Sequence, residues 1–580
     1  MSNDMDLNHI IQSTECLHLT SEEQRIEYHC NIDDNGNNCL LGDNFQKTWD
    51  LNKLTLPSNP SPLINYKVCS EKHCLLSKNH IYSNAPFACS DVISAKFKHL
   101  TCITKGNAKT VYQATLGIKT NNGLRYCPGD SISIFPENDS QTVSWLLHRL
   151  TLDSLQDADT LFTIELMSTQ TRNIPTWLLP GRPVTLRYLL TYCCELYIPV
   201  TRRILRLLAD HCFDCIIGSA NAEKQRNRLL EFSSQEGRQM FEMYIQTPNL
   251  NLLDILFEFQ CCRLPFIRLL EILPRLQPRS YTLINPVDES VSYKQDLSFI
   301  FTRVDLKYPI SEADTGVIHR YPYRHHGICT GWLERIWFGV NQPDDYQKAN
   351  FINMNSPIIN VYLRRNLIQF SLPEVISQPV IMIGAGSGIA PFISFIRQRK
   401  RDYLKDNTLT GDLWLIYGCR SPTTSLLFEN ELSDALNSKI LKHLCLCFSR
   451  DTVNSPSEKY ALNEISSVLI EQACFPLKAH YVQECIFYKH STNHKLSEHD
   501  IQLMNLVYER NAKIMVCGEA RQLAPEVFQS WIQLIAMRLH YEHTKTWCSY
   551  SDLSEENFKN AQEYLQSMRK AKRYQEDVWV

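Results

Sequence analysis

The stretch from Pro379 to Tyr403, PVIMIGAGSGIAPFISFIRQRKRDY, restricts the fold of this chain more than any other. Val380-Ile-Met-Ile383 is a short apolar run of the kind that makes a buried parallel strand. Gly384-Ala-Gly-Ser-Gly388 follows with almost no side chain, so a backbone there can approach a phosphate closely. Pro391 stands where the first turn of a helix tolerates it, and Phe392, Ile393 and Ile396 supply an apolar face. Strand, glycine turn and helix amino terminus together offer bare N–H groups and a dipole that favours an anion. Tight packing alone also places glycines at such turns, so the strands that follow have to decide.

After residue 379 the sequence repeats one unit, strand then helix. Leu413-Trp-Leu-Ile-Tyr417 ends at Gly418-Cys-Arg420, Leu444-Cys-Leu-Cys-Phe448 at Ser449-Arg450, and Lys513-Ile-Met-Val516 at Cys517-Gly518. Each strand carries its polar or glycine residues at its carboxyl end, where open α/β sheets bind ligands, and packing alone does not produce that agreement. Residues 373–580 are expected to form a doubly wound, parallel-sheet nucleotide-binding domain.

Upstream the period changes. Lys96 to Thr104, Val111 to Ile118 and Ser131 to Phe135 alternate between Gly and Asn turns, and strand signals return at Arg279 to Ile284 and Leu297 to Val304. That predicts an antiparallel barrel over 91–138 and 276–372. Between them, Val143 to Leu150, Thr185 to Tyr192 and Thr201 to Ala209 place apolar residues three and four apart, so 139–275 reads as an all-helical insertion in the barrel. Residues 1–90, rich in Asn, Ser and Asp without a sustained period, read as an irregular extension. The fold class is α/β plus β-barrel.

At 580 residues the chain is long enough for about three to four domains. A formal net charge of -3, with Lys and Arg scattered, argues against nucleic acid as a partner. MSNDMDLNHIIQ has no apolar core and is not expected to be a secretory signal, and no uncharged apolar run approaches a membrane span. The 22 cysteines then read as reduced thiols of a cytoplasmic protein. Cys212-Phe-Asp-Cys215 and Cys69-Ser-Glu-Lys-His-Cys74 lack matching second pairs at finger spacing, so no metal is expected. Cys193-Cys194 and Cys261-Cys262 read as core.

Two constellations carry chemistry. For a dinucleotide, the turn containing Gly384, Gly386 and Gly388 offers a pyrophosphate cradle, and Ser449-Arg450 offers a hydroxyl and a guanidinium suited to a phosphate monoester, which favours NADPH over NADH. Lys478, Tyr481 and Gln483 in KAHYVQ could extend that clamp. For a flavin, Arg279-Ser-Tyr-Thr282 puts Arg279 and Tyr281 on one strand face, the first to neutralise a diphosphate, the second to stack on a ring, with Thr282 reaching the ring edge. Gly327-Ile-Cys329-Thr330 opens a helix and a second anion site. Trp579, near the end of KRYQEDVWV, could cover an exposed flavin face, with Asp577 beside it.

From about residue 94 the sequence resembles the ferredoxin–NADP reductase-like half of the diflavin reductases, a group containing cytochrome P450 reductases, nitric oxide synthase reductase domains and methionine synthase reductases. The resemblance rests on LPRLQPRSYT (273–282), GICTGWL (327–333), IMIGAGSGIAPFISF (381–395), CFSRD (447–451), HYVQ (480–483), IMVCGEA (514–520) and KRYQEDVWV (572–580). Thr-Gly-Trp-Leu after the flavin motif points to the methionine synthase reductase branch. Ala385 and Ser387 stand where the family usually has Pro and Thr, Thr282 where it has Ser, and Glu519 where it has Asp.

The resemblance implies FAD and NADPH as cofactors and hydride transfer from one to the other. In that scheme Thr282 and Cys517 position the reacting atoms, Asp577 stabilises the nicotinamide charge, and Trp579 covers the flavin until nicotinamide displaces it. A flavodoxin-like domain does not fit residues 1–90, so FMN is not expected on this chain. The implied partner is an FMN-containing or cobalamin-dependent acceptor, with electrons passing towards the cobalamin of methionine synthase. The alternatives are the same core serving a P450 or an iron–sulfur protein, and a non-catalytic scaffold; the presence of Arg279, the glycine turn, Arg450 and Trp579 favours an enzyme.

Overall fold

Alternating polar and apolar residues build the first half of the fold. In the computed structural model, β1 (Ile64–Val68) forms an antiparallel ribbon with β5 (Phe162–Leu166). β2 (Ile93–Cys102), β3 (Val111–Lys119), β4 (Ser131–Ile134), β6 (Arg279–Thr282), β7 (Lys294–Thr302) and β8 (Ile358–Arg364) form an antiparallel sheet in the order β6-β4-β8-β2-β3-β7. A bridge between Leu283 and Phe299 joins its outer strands and closes the sheet as a barrel. Alternate residues fill it: Ala95 and Phe97, Ala114 and Leu116, Leu297 and Phe299, Ile359 and Val361 are all buried in one cluster with Trp332 and Leu333 of the helix Ile328–Phe338. The structure describes residues 50–59, 61–69, 85–119, 124–152, 154–167, 175, 177–213, 220–286, 294–305, 326–339, 356–366, 368–406, 411–450, 469, 479–487, 496–546, 550 and 553–579.

The insertion is helical where the 3.6-residue period predicts it, at Ser140–Arg149, Leu186–Tyr192 and Arg202–Ala209, each started by a side chain that caps it: Asp139, Thr185 and Thr201. β5 is the exception, so the insertion is not all helix. Its partner β1 lies in the stretch read as irregular. β1 is five residues long and takes its partner from a strand about a hundred residues on, which leaves no local period to read. The Tyr66 ring packs edge-on against Phe266, with centroids 4.7 Å apart. By its contacts the chain divides into two compact units, one from the described residues of 1–61 and 197–264, the other from those of 62–196, 265–307 and 322–580. That division runs through the helical block.

In the second unit, β9 (Val380–Ala385), β10 (Leu413–Cys419), β11 (Leu441–Phe448), β12 (Lys513–Glu519) and β13 (Tyr574–Trp579) form a parallel sheet in the order β11-β10-β9-β12-β13. Both faces are covered, which is why β9 and β10 are apolar throughout rather than alternating. The chain leaves β9 towards β10 on one side and resumes at β12 on the other, so the switch in strand direction falls between β9 and β12. The tail, legible only as a segment returning to the sheet, is the edge strand β13, and Arg569 fastens it with two bonds to Glu576 at 2.9 and 2.8 Å. Among the described residues no helix is long and apolar enough to cross a membrane, and no His, Cys, Asp or Glu cluster could hold a metal.

The helix Ala390–Asp406 ties sheet to barrel. Ser394 Oγ donates to the Asn285 carbonyl and Arg397 Nη1 to that of Ile284, both at 2.9 Å, and one apolar cluster runs from Ile284 and Ile300 of the barrel into Phe392 and Ile396. Replacing the buried Ile383 with Ala is expected to cost about 2–5 kcal/mol in a denaturant melt, against under about 0.5 kcal/mol for Ala at Leu404, which is 75% exposed.

Candidate functional site

The three glycines after β9 are there for different reasons. At Gly388 a Cβ would lie 2.3 Å from the Cys517 carbonyl oxygen of β12, and at Gly384 it would lie 2.9 Å from the Phe392 ring. Both are packing requirements. Gly386 has a φ of +55°, left-handed backbone, and open space where its Cβ would be. It is the point of the turn that a phosphate can approach. Tyr417 Oη fixes the turn by donating to the Gly386 carbonyl at 3.2 Å, and Thr302 of the barrel bonds Ser387 at 3.3 Å.

The next two strand ends lie side by side. Ser449 N donates to the Cys419 carbonyl and Arg450 N to that of Arg420, each at 3.0 Å, so the two arginines leave adjacent strands together. Burial and the neighbouring Arg450 both push the Arg420 guanidinium below the usual arginine range. Neither arginine pairs with a carboxylate among the described residues. Two arginines that leave adjacent strands beside Ser449 make a candidate phosphate site. Arg420 was visible in the sequence as a strand-end residue, but only the β10–β11 register makes it a neighbour of Arg450. Tyr481 is exposed, and Gln483 donates to the side chain of Glu526. Lys478 and Cys215 lie outside the described residues, as does Cys74.

At the switch point the register sets Cys517 opposite Asp577 and Glu519 opposite Trp579. Cys517 is buried, and burial together with Asp577 pushes its thiol well up. Burial also raises the Asp577 carboxyl, against an opposing pull from Arg364 at the end of β8. Arg364 bonds Ser280 Oγ at 3.5 Å, linking this corner to the strand that carries Arg279, Tyr281 and Thr282. No hydrogen bond or ring contact among the described residues joins Thr282 directly to Cys517, Asp577 or Trp579. Trp579 keeps 45% of its surface exposed.

The two flavin motifs, distant in sequence, meet. Tyr281 packs against the apolar cluster that holds Cys329, Trp332 and Leu333, which puts β6 beside the first turn of the helix Ile328–Phe338. Burial pushes the Cys329 thiol up to about 11. Arg279 acts on both the Tyr281 hydroxyl and the Cys329 thiol, and its Nη2 meets Glu195 Oε2 at 3.2 Å. Gly327 supplies no side-chain cap, so a guanidinium and an uncapped helix start lie close together, as a diphosphate requires. The Tyr281 ring stacks on Phe299 at 5.1 Å, and Thr330 Oγ1 accepts from Val304 N at 3.3 Å. Thr282 has no side-chain hydrogen bond among the described residues.

This donor set fits an FAD diphosphate on the barrel and an NADP phosphate on the sheet. The FAD binding domain family matches residues 85–332, and the oxidoreductase NAD-binding domain family matches residues 382–527. The chain joins an FAD-binding domain to an oxidoreductase NAD-binding domain. Over 491 residues it is 29% identical to the methionine synthase reductase of Homo sapiens, covering 83% of this chain and 60% of that protein. The Rattus norvegicus methionine synthase reductase is 28% identical over 457 residues (78% and 56%), and the NADPH–cytochrome P450 reductase of Drosophila melanogaster 27% over 496 residues (85% and 59%). The chain thus spans about three-fifths of the length of these relatives.

In this FAD- and NAD-binding chain, Gly388→Ala is expected to cost about 3 kcal/mol or more in a thermal melt, since a backbone oxygen cannot step aside, and Gly386→Ala about 1 kcal/mol from the left-handed backbone alone. For Asp577 the sign follows from burial. A carboxyl raised in the folded state binds its proton more tightly there, so its contribution is lost as pH rises through and above the carboxylate range. Asp577→Asn should therefore melt higher than the parent at neutral pH, with the gap closing as pH falls below the usual carboxylate range.

Proposed function

We propose that this chain is an NADPH-dependent flavoprotein reductase. The reading is carried by Arg420 and Arg450, two guanidiniums without a carboxylate partner among the described residues, beside Ser449 at the carboxyl edge of a sheet whose glycine turn is bonded to the FAD-binding barrel. Arg279 and the start of the helix Ile328–Phe338 would hold the FAD diphosphate; Gly386, Ser449, Arg420, Arg450, Tyr481 and Gln483 would hold NADPH. The cofactors, when bound, supply the hydride donor and acceptor.

The chain's own residues orient and screen. Thr282, whose hydroxyl has no bond among the described residues, would offer it to a ring edge. Cys517, kept as a neutral thiol by burial, gives a small apolar surface at the end of β12. Asp577, held near Arg364, offers a carboxylate to a developing positive charge and is positioned by the backbone pairing of β12 and β13. Trp579, half-exposed at the edge strand's end, would lie over a flavin face and swing off it.

The likeness to methionine synthase reductases supports an acceptor of the same kind: an FMN-containing module that passes electrons towards the cobalamin of methionine synthase, in the cytoplasm. Similarity to P450 reductases supports, as the second reading, the same core serving a P450.

The test is anaerobic rapid mixing of the FAD-loaded protein with NADPH or NADH. NADPH should bleach the flavin band quickly. Arg420→Ala and Arg450→Ala should each weaken NADPH by about 1.5–3 kcal/mol while leaving NADH nearly unchanged. Equal losses for both nucleotides would remove the phosphate assignment, and FAD-loaded protein that neither nucleotide bleaches would remove the reductase.

A further inference from the structure

β11 alternates its side chains, so Cys445 and Cys447 project from the same face of the sheet, the face covered by the short helical turn Val482–Cys485. Cys447 is fully buried. Its Sγ lies 3.3 Å from the Sγ of Cys485, which retains 8% of its surface. Cys445 is buried in the same cluster as Cys485. His480 Nδ1 lies 3.3 Å from the Phe448 carbonyl, and His499 Nε2 2.8 Å from that of Cys485, so both segments are also held by their backbones. Cys447 stands two residues before Ser449, and Cys485 two residues after Gln483. The sulfur contact therefore joins the roots of the two segments that grip the adenylate phosphate, and the proposed hydride reaction uses neither thiol.

We propose that Cys447 and Cys485 form a reversible disulfide on exposure to a hydroperoxide and that this bond weakens NADPH binding, an inference that rests on reading Ser449, Arg450, Tyr481 and Gln483 as cofactor ligands. Cys485 is the attacking thiol. It alone of the pair has exposed surface, and the neighbouring thiols of Cys445 and Cys447 favour its thiolate. Its sulfur attacks the peroxide, the O–O bond breaks, and a sulfenic acid and hydroxide result. Cys447 then attacks that sulfur; an S–S bond forms, the S–O bond breaks, and the Cys447 proton leaves in water. Two thiols are oxidised by two electrons, and one hydroperoxide is reduced. Bond formation draws the two sulfurs inside their van der Waals contact, and the segments carrying Ser449-Arg450 and Tyr481-Gln483 move with them.

The test treats the FAD-loaded full chain with hydrogen peroxide, blocks free thiols, and maps tryptic peptides without reduction. The expected product joins His443–Arg450 (HLCLCFSR) to Ala479–Lys489 (AHYVQECIFYK) with the loss of two hydrogen atoms, and it persists in Cys445→Ser. Calorimetry with 2′,5′-ADP, which reads the phosphate clamp without flavin chemistry, should show Kd rising about tenfold or more, as a small misplacement of ligands allows, and recovering with dithiothreitol. Cys485→Ser should show neither change, with Cys447→Ala as the substitute if it fails to fold. Absence of the joined peptides overturns the proposal, as does a cross-link that leaves Kd unchanged. Reduced protein that does not bind 2′,5′-ADP at all would remove the cofactor-site reading itself, whatever the peptide map shows.

Discussion

The approach of Gly388 to the Cys517 carbonyl is the contact on which the rest of the nucleotide half depends. A side chain at that position would collide with backbone that neighbouring strands hold in place, so β12 and the turn after β9 can lie together only because residue 388 lacks a Cβ. Once they do, the register of the parallel sheet follows. Cys517 falls opposite Asp577, Glu519 opposite Trp579, and the open Gly386 sits at the switch point beside them. A steric constraint on one backbone atom thereby sets the positions of three candidate site residues that come from two separate strands.

The second constraint is the fastening of that turn to the barrel. Ser394 and Arg397 give their hydrogen bonds to main-chain carbonyls, which cannot rotate away, and Thr302 reaches Ser387 within the turn itself. Bonds from a rigid helix to barrel backbone fix the separation of sheet and barrel better than long surface ion pairs, and a hydride donor and acceptor held one on each would need that separation controlled to a fraction of an ångström. On the barrel, the packing of Tyr281 on the cluster around Cys329 brings the strand of Arg279 to a helix start, so two weak anion-binding features come together as one candidate site.

Charge is left unbalanced at the places where a ligand would balance it. Arg420 and Arg450 repel one another, and among the described residues Asp577 meets only Arg364 as an opposing pull in its partly dry corner. Each arrangement costs stability by itself, and an anionic phosphate or a cationic ring would relieve it. The raised thiol of Cys517 belongs to the same pattern, since a neutral sulfur adds no third charge there.

Much of this was legible locally. The β9 run, its glycines, the strand-end residues of β10, β11 and β12, and the helices capped by Thr185 and Thr201 all announce themselves through period and spacing, because each depends on residues within a turn or two. The short strand β1 and the edge strand β13 did not, since each is defined by a partner far away in sequence and carries too few alternating residues to stand out. The site divides the same way. Residue identities in the Arg279, Gly327, Gly384 and Ser449 motifs are read from the chain alone, as is the expectation that each takes a phosphate or diphosphate. That Gly388 is demanded by packing while Gly386 faces open space, that Arg420 joins Arg450, that Arg364 attends Asp577, and that two cysteines meet behind the candidate phosphate clamp were decided only by tertiary structure, because those relations depend on distances between segments that the order of residues does not contain.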